Sequence, residues 1–246
     1  MAPGFHVIAH LQHGDRLDVY DLWSAERSCR VIGKTLRPDR SEHDGARRAL
    51  LQEGRLLKRL THPHIVRAYE IHRQPQPLVI LEAVPGETLG RLVERGGPLS
   101  LEALAFLGLH LCSALTYLHG QEMLHLDLTP GNIIASHGLA KLIDLSLAQP
   151  PGATDGRSGT PGYRAREQAA GGMLTTASDV SGLGAALVFA SLGQPPPDTR
   201  TGRMPASGQK LPPPLRALLA ACLEADPGCR PALEDVANGL AAFLPA

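Results

Sequence analysis

Asp127, Asn132 and Asp144 are the residues that most constrain how this chain folds. The first two stand five residues apart in the segment HLDLTPGN, with a Pro-Gly pair between them. This pair interrupts any regular helix and predicts a loop that turns both polar side chains toward one point. The apolar segment that follows has a turn at His137–Gly138, which predicts a short hairpin that returns Asp144 to the same point. Two carboxylates and an amide that converge from loops form a site for a divalent metal ion and phosphate.

Asp and Asn are also common in surface turns, which is the alternative for each of these residues taken alone. Their combined pattern resembles the eukaryotic-type, or Hanks-type, protein kinases: HLDLTPGN resembles the catalytic loop, and IDLS, which contains Asp144, resembles the metal-binding DFG segment. The resemblance implies that Asp127 accepts the proton of a serine or threonine hydroxyl group. It also implies that Asn132 and Asp144 hold Mg²⁺ beside ATP.

A lysine and a glutamate upstream extend the resemblance. The strand-like segment that ends in VIGK resembles the family's VAIK pattern and places Lys34 as the lysine that holds the ATP phosphates. The segment ARRALLQEGRLLKRL predicts a helix over 46–60 with Leu50, Leu57 and Leu60 on one stripe. Glu53 stands close to that stripe, where a carboxylate without a partner is unfavourable, so we expect an ion pair with Lys34. The alternative is a surface lysine and a solvated glutamate.

The turn that corresponds to the family's Gly-rich flap departs from the pattern. Of the three expected glycines only Gly14 is present, and Gln12 and Leu17 replace the others. Side chains at these positions hinder the close approach of the backbone to phosphates. Asp15 and Asp18 are expected to bring negative charge near the phosphates.

The segment PLVILEAV predicts a buried strand, which in the family leads into the hinge that binds adenine. Backbone groups of Glu82 and Val84 would meet the adenine ring, and Leu81 would be the gatekeeper. Ile32 and Ile134 would sandwich the ring, and Ile32 departs from the smaller alanine usual in the family. Together, the residues that the resemblance implies for nucleotide binding are Gly14, Val19, Ile32, Lys34, Leu81, Glu82, Val84 and Ile134.

The second half of the chain continues the pattern in the correct order. A segment with the phosphorylatable residues Thr154, Ser158 and Thr160 leads to GTPGYRARE, which resembles the family's GTPxYxAPE with an arginine in place of the proline. The resemblance implies that the glutamate of this motif, Glu167, pairs with Arg230 far downstream. A capped helix over 100–120 and two amphipathic helices over 215–244 are also predicted. Residues 175–192 resemble the family's central buried helix, and the resemblance implies that Asp179 braces the backbone of the catalytic loop. The Pro-rich segment 194–214 is predicted to be a loop.

The resemblance implies an α+β, bilobal fold formed by a single protein kinase domain over residues 1–246. The N-lobe, residues 1–83, is expected to be a small β-sheet with one helix, and the C-lobe, residues 84–246, to be larger and helical. ATP and Mg²⁺ are expected in the cleft between the lobes, where ligands commonly bind.

Three departures lie near the reacting groups. Leu126 stands where the family has the arginine that pairs with a phosphorylated activation loop, so switching through such a pair is not implied. Thr129 replaces a lysine, and losing one donor to the transferred phosphoryl group lowers the rate by about a hundredfold. Ser146 replaces the glycine of DFG. The preferred interpretation is an active Ser/Thr protein kinase; the alternatives are a pseudokinase that acts as a binding module and a small-molecule phosphotransferase.

Composition excludes several other classes of protein. Lys plus Arg equals Asp plus Glu at 24 each, so the net charge favours neither nucleic acid nor an anionic membrane as a partner. The four cysteines form no CxxC pair, and most of the eleven histidines stand singly in contexts typical of structural roles. The longest apolar run and the N-terminal segment predict neither a membrane span nor a signal peptide, so we expect a cytoplasmic protein with a protein substrate. Low aromatic content, 4%, with 26 Gly and 21 Pro is typical of a GC-rich bacterial genome.

Overall fold

The first part of the chain forms one antiparallel sheet. The computed structural model describes residues 2–40, 43–136, 138–156, 158–194, 196, 205 and 210–245. The strands are β1 (Phe5–His13), β2 (Leu17–Ser24), β3 (Cys29–Leu36), β4 (Ala68–His72) and β5 (Leu78–Glu82). They form a five-stranded sheet in the order β1-β2-β3-β5-β4, with antiparallel neighbours throughout. The strands predicted for the segment that ends in VIGK and for PLVILEAV are present as β3 and β5.

Side-chain alternation divides this sheet into two faces. Leu22, Val31 and Ile80 are fully buried in an apolar cluster on one face. Val19 pairs with Lys34 across β2 and β3, three residues along from the pair of Leu22 with Val31. Because that offset is odd, Val19 and Lys34 lie on the opposite face.

One helix, α1 (Asp44–Arg59), packs on the sheet face that carries Lys34. His43 caps its first turn, because its Nδ1 atom accepts the N–H of Ala46 at 3.1 Å. The helix approaches the sheet closely at Gly54, where an added Cβ would lie 2.8 Å from a methyl group of Val79. Burial of Glu53 follows from this close approach.

Two apolar helices form the core of the second part of the chain: α3 (Leu101–Gly120) and α5 (Thr176–Leu192). Ser100 caps α3 as predicted, since its hydroxyl oxygen accepts the N–H of Ala103 at 3.2 Å. Nearly every residue of α5 is buried, which explains why its sequence lacks a polar stripe. The remaining elements are β6 (Glu87–Thr88), α2 (Leu89–Gly96), β7 (Ile133–Ser136), β8 (Leu139–Leu142), β9 (Gly152–Ala153), α4 (Arg166–Ala170), β10 (Met173–Leu174), α6 (Pro213–Cys222) and α7 (Leu233–Ala241).

The hairpin of β7 and β8 leads to Asp144, as the apolar segment predicts, and His137 of its turn lies outside the described residues. The segment PGETL leads into α2, which begins at its last residue, Leu89. Thr88 and Glu87 first pair with Ile134 and Ala135, because both strands have unpaired backbone groups at this edge. Most of the Pro-rich segment 194–214 also lies outside the described residues.

The chain divides into two compact units. The first comprises Met1–Val84 with Asp144–Ser146, and the second comprises Pro85–Ile143 with Leu147–Ala246. Strands dominate the first and helices the second, so the α+β fold class is confirmed. Helix α3 is long and apolar enough to cross a membrane by length and composition, with half of its most apolar window buried inside the fold. That burial is typical of a core helix.

Candidate active site

Lys34 lies between two carboxylates in the first unit. Its Nζ atom donates to Oε1 of Glu53 and to Oδ2 of Asp144, each at 2.8 Å. Lys34 and Glu53 are almost fully buried, and Asp144 is partly exposed. The backbone N–H of Leu145 also donates to Glu53 Oε1, at 3.4 Å. Strand β3, helix α1 and the segment after β8 therefore bring together three of the residues singled out in the sequence.

Electrostatic interactions among Lys34, Glu53 and Asp144 shift the pKa values of all three groups. Burial alone would lower the pKa of Lys34, but the carboxylates of Glu53 and Asp144 raise it above its ordinary value. Burial also opposes ionisation of Asp144, yet Lys34 lowers the pKa of that carboxyl to about 2. The pKa of Glu53 is raised, because its burial and the neighbouring charge of Asp144 outweigh the pairing with Lys34. A charged ammonium group therefore faces a site with an excess of negative charge.

Asp127 and Asn132 are brought together within the second unit. The Nδ2 atom of Asn132 donates to Oδ2 of Asp127 at 2.9 Å and to its backbone carbonyl at 3.0 Å. The other carboxylate oxygen of Asp127 accepts the backbone N–H of Thr160 at 3.0 Å and the Thr160 hydroxyl at 2.7 Å. These partners are all neutral, so they orient the carboxylate without balancing its charge.

The backbone before Asp127 is held by a buried aspartate on α5. Oδ2 of Asp179 accepts the backbone N–H of His125, and Oδ1 accepts that of Leu126, both at 2.8 Å. Oδ2 also lies 2.8 Å from Nε2 of His119. Leu126 has a positive φ of 65°, a strained conformation for a residue with a side chain. Asp179 therefore holds the loop in a conformation that the chain would not adopt alone.

A buried ion pair closes the segment after Thr160. Arg230 donates to both carboxylate oxygens of Glu167, at 2.7 and 2.9 Å. Burial would raise the pKa of Glu167, but Arg230 and the hydroxyl of Ser178 hold it below its ordinary value. Gln168 adds a second link, because its Nε2 donates to the carbonyls of Leu126 and Ser158.

The residues expected to bind adenine and the flap residues fall into both units. In the first unit, Ile32 pairs with Leu81 between β3 and β5 and lies on the same sheet face as Lys34. Glu82 ends β5, and Val84 follows it without regular structure. Gly14 forms the turn between β1 and β2, where its N–H donates to the carbonyl of Leu17 at 2.9 Å. Ile134 belongs to β7 of the second unit.

The expectation for Asp18 is wrong. Asp18 is adjacent to Val19 in β2, and Val19 pairs with Lys34, so Asp18 points to the sheet face opposite Lys34. There it is buried, with Oδ1 bonded to the imidazoles of His10 and His13 at 3.2 and 2.7 Å. Asp15 is exposed in the turn.

Sequence reasoning did not find the partners of several functional candidates. Thr160 was singled out for its hydroxyl group and not as a partner of Asp127. Gln168, His119 and the two histidines on Asp18 were not singled out. The spacing of His10 and His13, three apart on a strand, gave no signal because a regular strand would separate them.

Comparisons with known proteins agree with the motif order. The family model described as the protein kinase domain matches residues 5–239 of this chain. The chain is 31% identical over 209 residues to the serine/threonine-protein kinase PkaA of Streptomyces coelicolor, which covers 77% of this chain and 38% of that protein. It is 32% identical over 211 residues to the DNA damage-responsive serine/threonine-protein kinase RqkA of Deinococcus radiodurans, covering 80% of this chain and 31% of that protein.

A third relative, the serine/threonine-protein kinase AfsK of Streptomyces coelicolor, is 29% identical and covers 98% of this chain and 32% of its own length. The chain thus spans roughly a third of the length of these curated relatives. The family match covers nearly the whole chain and includes every segment described above. The chain therefore belongs to the protein kinase family, among its Hanks-type bacterial members.

Proposed function

We propose that this protein is an active serine/threonine protein kinase that transfers the γ-phosphoryl group of ATP to a hydroxyl group of a protein. The observation that carries the proposal is the buried Lys34 ammonium group, held at 2.8 Å by both Glu53 and Asp144. A buried lysine oriented by a glutamate suits the α- and β-phosphates of ATP. Relatives that are 31% and 32% identical to this chain are named serine/threonine-protein kinases, which supports the same class of reaction.

The side chains assigned to Mg²⁺ fit that ion chemically. Asp144 offers carboxylate oxygens, of which Oδ1 accepts only the N–H of Ser146 among the described contacts. Among the described contacts, both hydrogen bonds of the Asn132 side chain use its nitrogen, so its amide oxygen has no partner there and can face an ion. Such hard oxygen donors are those that Mg²⁺ prefers. When bound, the ion would neutralise charge on the transferred phosphate.

In this proposal Asp127 orients the substrate hydroxyl and accepts its proton. Its two oxygens accept hydrogen bonds from Thr160 and Asn132, which fix the carboxylate plane. Glu53 positions Lys34, and Gly14, Val19, Ile32, Leu81, Glu82, Val84 and Ile134 surround the nucleotide. We assign residues 1–246 to a single kinase domain, with residues 1–83 as its N-lobe and 84–246 as its C-lobe. The proposed location is the cytoplasm, where ATP and protein substrates are available.

A pseudokinase is the second candidate, and specific observations favour it. Gln12 and Leu17 replace two flap glycines, and Ile32 places a larger side chain on the face of Lys34. A small-molecule phosphotransferase is the third, and the pairing of Glu167 with Arg230 at 2.7 and 2.9 Å counts against it. That pair accompanies the segment that kinases use for protein substrates.

Nucleotide binding is tested first, by the thermal stability of the protein with ATP and with or without Mg²⁺. A ligand present at 100 times its Kd stabilises the folded state by about 2.7 kcal/mol. For a chain of this size that raises the melting temperature by about 5–10 °C. The rise is expected to require Mg²⁺ and to disappear in Lys34→Ala and Asp144→Asn. No rise at millimolar ATP would contradict the kinase proposal.

Phosphoryl transfer is tested next, with labelled ATP and a generic protein substrate. Asp127→Asn keeps the shape of the side chain and is expected to bind Mg²⁺–ATP like the unchanged protein. Its transfer rate is expected to fall by about 10²–10⁴-fold, the usual contribution of general base catalysis. Binding without transfer in the unchanged protein would instead identify a pseudokinase.

A further inference from the structure

The end of the β1–β2 hairpin gathers two histidines and an aspartate. His10 Nε2 lies 3.2 Å, and His13 Nδ1 2.7 Å, from Oδ1 of Asp18. One ligand atom from each of the three residues lies within 4.8 Å of the other two. The Asp18 side chain is 3% exposed, whereas those of His10 and His13 are 41% and 57% exposed. The carboxylate is therefore fixed, and both imidazoles can be reached from solvent.

A strand irregularity creates this arrangement. In a regular strand, His10 and His13 would point to opposite faces because they are three residues apart. The register of β1 against β2 shifts between His10 and Gln12, and the additional residue returns His13 to the face of His10. Across the ladder, His13 pairs with Asp18 and His10 pairs with Tyr20. All four side chains thus share one face.

Neighbouring groups hold the cluster in place. The ring of Tyr20 stacks on His10 with centroids 4.6 Å apart, and its hydroxyl donates to Oδ2 of Asp18 at 3.5 Å. Arg37 donates to the carbonyl of Gly14 at 3.1 Å and so ties the hairpin turn to the end of β3. Oriented ligands with such support are typical of metal sites that bind without large rearrangement.

We propose that His10, His13 and Asp18 form a binding site for a divalent transition metal ion, with Zn²⁺ as the probe of choice. The ligand atoms are Nε2 of His10, Nδ1 of His13 and Oδ1 of Asp18, with water in the fourth position. Tetrahedral bonds of about 2.0–2.1 Å separate ligand atoms by about 3.3 Å, so the two contacts of Asp18 Oδ1, at 3.2 and 2.7 Å, lengthen by less than about 1 Å to admit the ion. Imidazole ligands select zinc, copper or nickel over magnesium.

The site is distinct from the residues assigned to ATP. Asp18 and Tyr20 alternate with Val19, and Val19 pairs with Lys34 on the other sheet face. The metal would join β1 to β2 beside the turn that retains only one of three flap glycines. Its structural effect is a cross-link that stiffens the flap, and its binding does not depend on the proposed catalytic activity.

Zinc binding is measured by calorimetry on the full chain without a polyhistidine tag and without nucleotide. Absorption of bound Co²⁺ provides a second signal, since a tetrahedral site with nitrogen ligands gives intense visible bands. The test variants are His10→Ala and His13→Ala. His6→Ala is the matched control, an exposed histidine on the same strand outside the cluster. Lys34→Ala tests independence from the ATP site.

We expect one equivalent of zinc in the unchanged protein, in His6→Ala and in Lys34→Ala. In His10→Ala and His13→Ala the affinity falls at least about tenfold, since even outer-shell partners of a metal change affinity by that factor. Equal affinity in either folded test variant overturns the proposal, as does the absence of binding at millimolar zinc. The residues would then be a hydrogen-bonded cluster only. Since His10 also stacks on Tyr20, His13→Ala decides if His10→Ala does not fold.

Discussion

Two buried ion clusters in this protein are built in different ways. Arg230 and Glu167 form a pair with one charge of each sign, and Arg230 also donates to the carbonyls of Glu224 and Ala177 at 2.8 Å. In the other cluster, Lys34 serves two carboxylates, and Oε2 of Glu53 is buried without a hydrogen-bond partner among the described residues. The charges of the first cluster therefore balance within the fold. The second has an excess of negative charge, which a metal ion would balance.

The comparison predicts that the complete pair matters most for stability. In Arg230→Ala, the carboxylate of Glu167 stays largely buried without its counter-ion, and two backbone carbonyls lose a donor. We expect a loss of about 3–5 kcal/mol in the free energy of unfolding. Chemical denaturation measures it. Arg166→Ala is the matched control, because this exposed neighbour of Glu167 has no ion pair within the part of the chain that the structure describes. A loss of similar size there would contradict the assignment.

Removing Lys34, the cation of the second cluster, is expected to lower stability less than removing Arg230. In Lys34→Ala, the pKa of Glu53, already raised by burial and by Asp144, rises further because the lysine that lowers it is gone. We expect a loss of about 1–3 kcal/mol without nucleotide, the usual range for an unsatisfied buried group. The double variant Lys34→Ala/Glu53→Gln is expected to recover part of it, which a double-mutant cycle measures. A loss as large as that in Arg230→Ala would break the comparison.

Acid titration gives the smallest and most specific effect. The pKa of Glu167 is lowered in the folded protein from its ordinary value of 4.5. Its contribution to stability is therefore present above that ordinary value and is lost as the pH falls through the lower folded value. In Glu167→Gln the acid limb of the stability curve should be shallower at pH values below the ordinary carboxyl pKa of 4.5. Unfolding free energies at a series of pH values measure this, and identical acid limbs would contradict it.

Local patterns in the sequence were sufficient for much of the fold and for part of the site. The leucine stripe of α1 predicted that Glu53 needs a partner, and the structure provides Lys34. Ser100 marked the start of α3 because a cap depends on residues only three apart. Such relations depend on helical periodicity or on short spacings.

Other contacts depend on register and on long-range packing. Asp18 contacts two histidines because the register of β1 against β2 shifts between His10 and Gln12. The alternation of apolar and polar residues in the sequence does not reveal such a shift. The contact of Thr160 with Asp127 joins two loops 33 residues apart, and loops carry no period from which to predict a contact. The same holds for Gln168, which lies 42 residues from the Leu126 carbonyl that it binds.

Leu126 stands where the family pattern has an arginine that pairs with a phosphorylated residue of the activation loop. Its side chain packs instead with Leu124 and Leu174, in a small cluster that is closed to water. Apolar packing of this kind forms without a phosphate group, and its strength does not depend on screening by salt or on removal of phosphate by phosphatases. The packing of Leu126 therefore does not depend on a phosphorylated residue elsewhere in the chain.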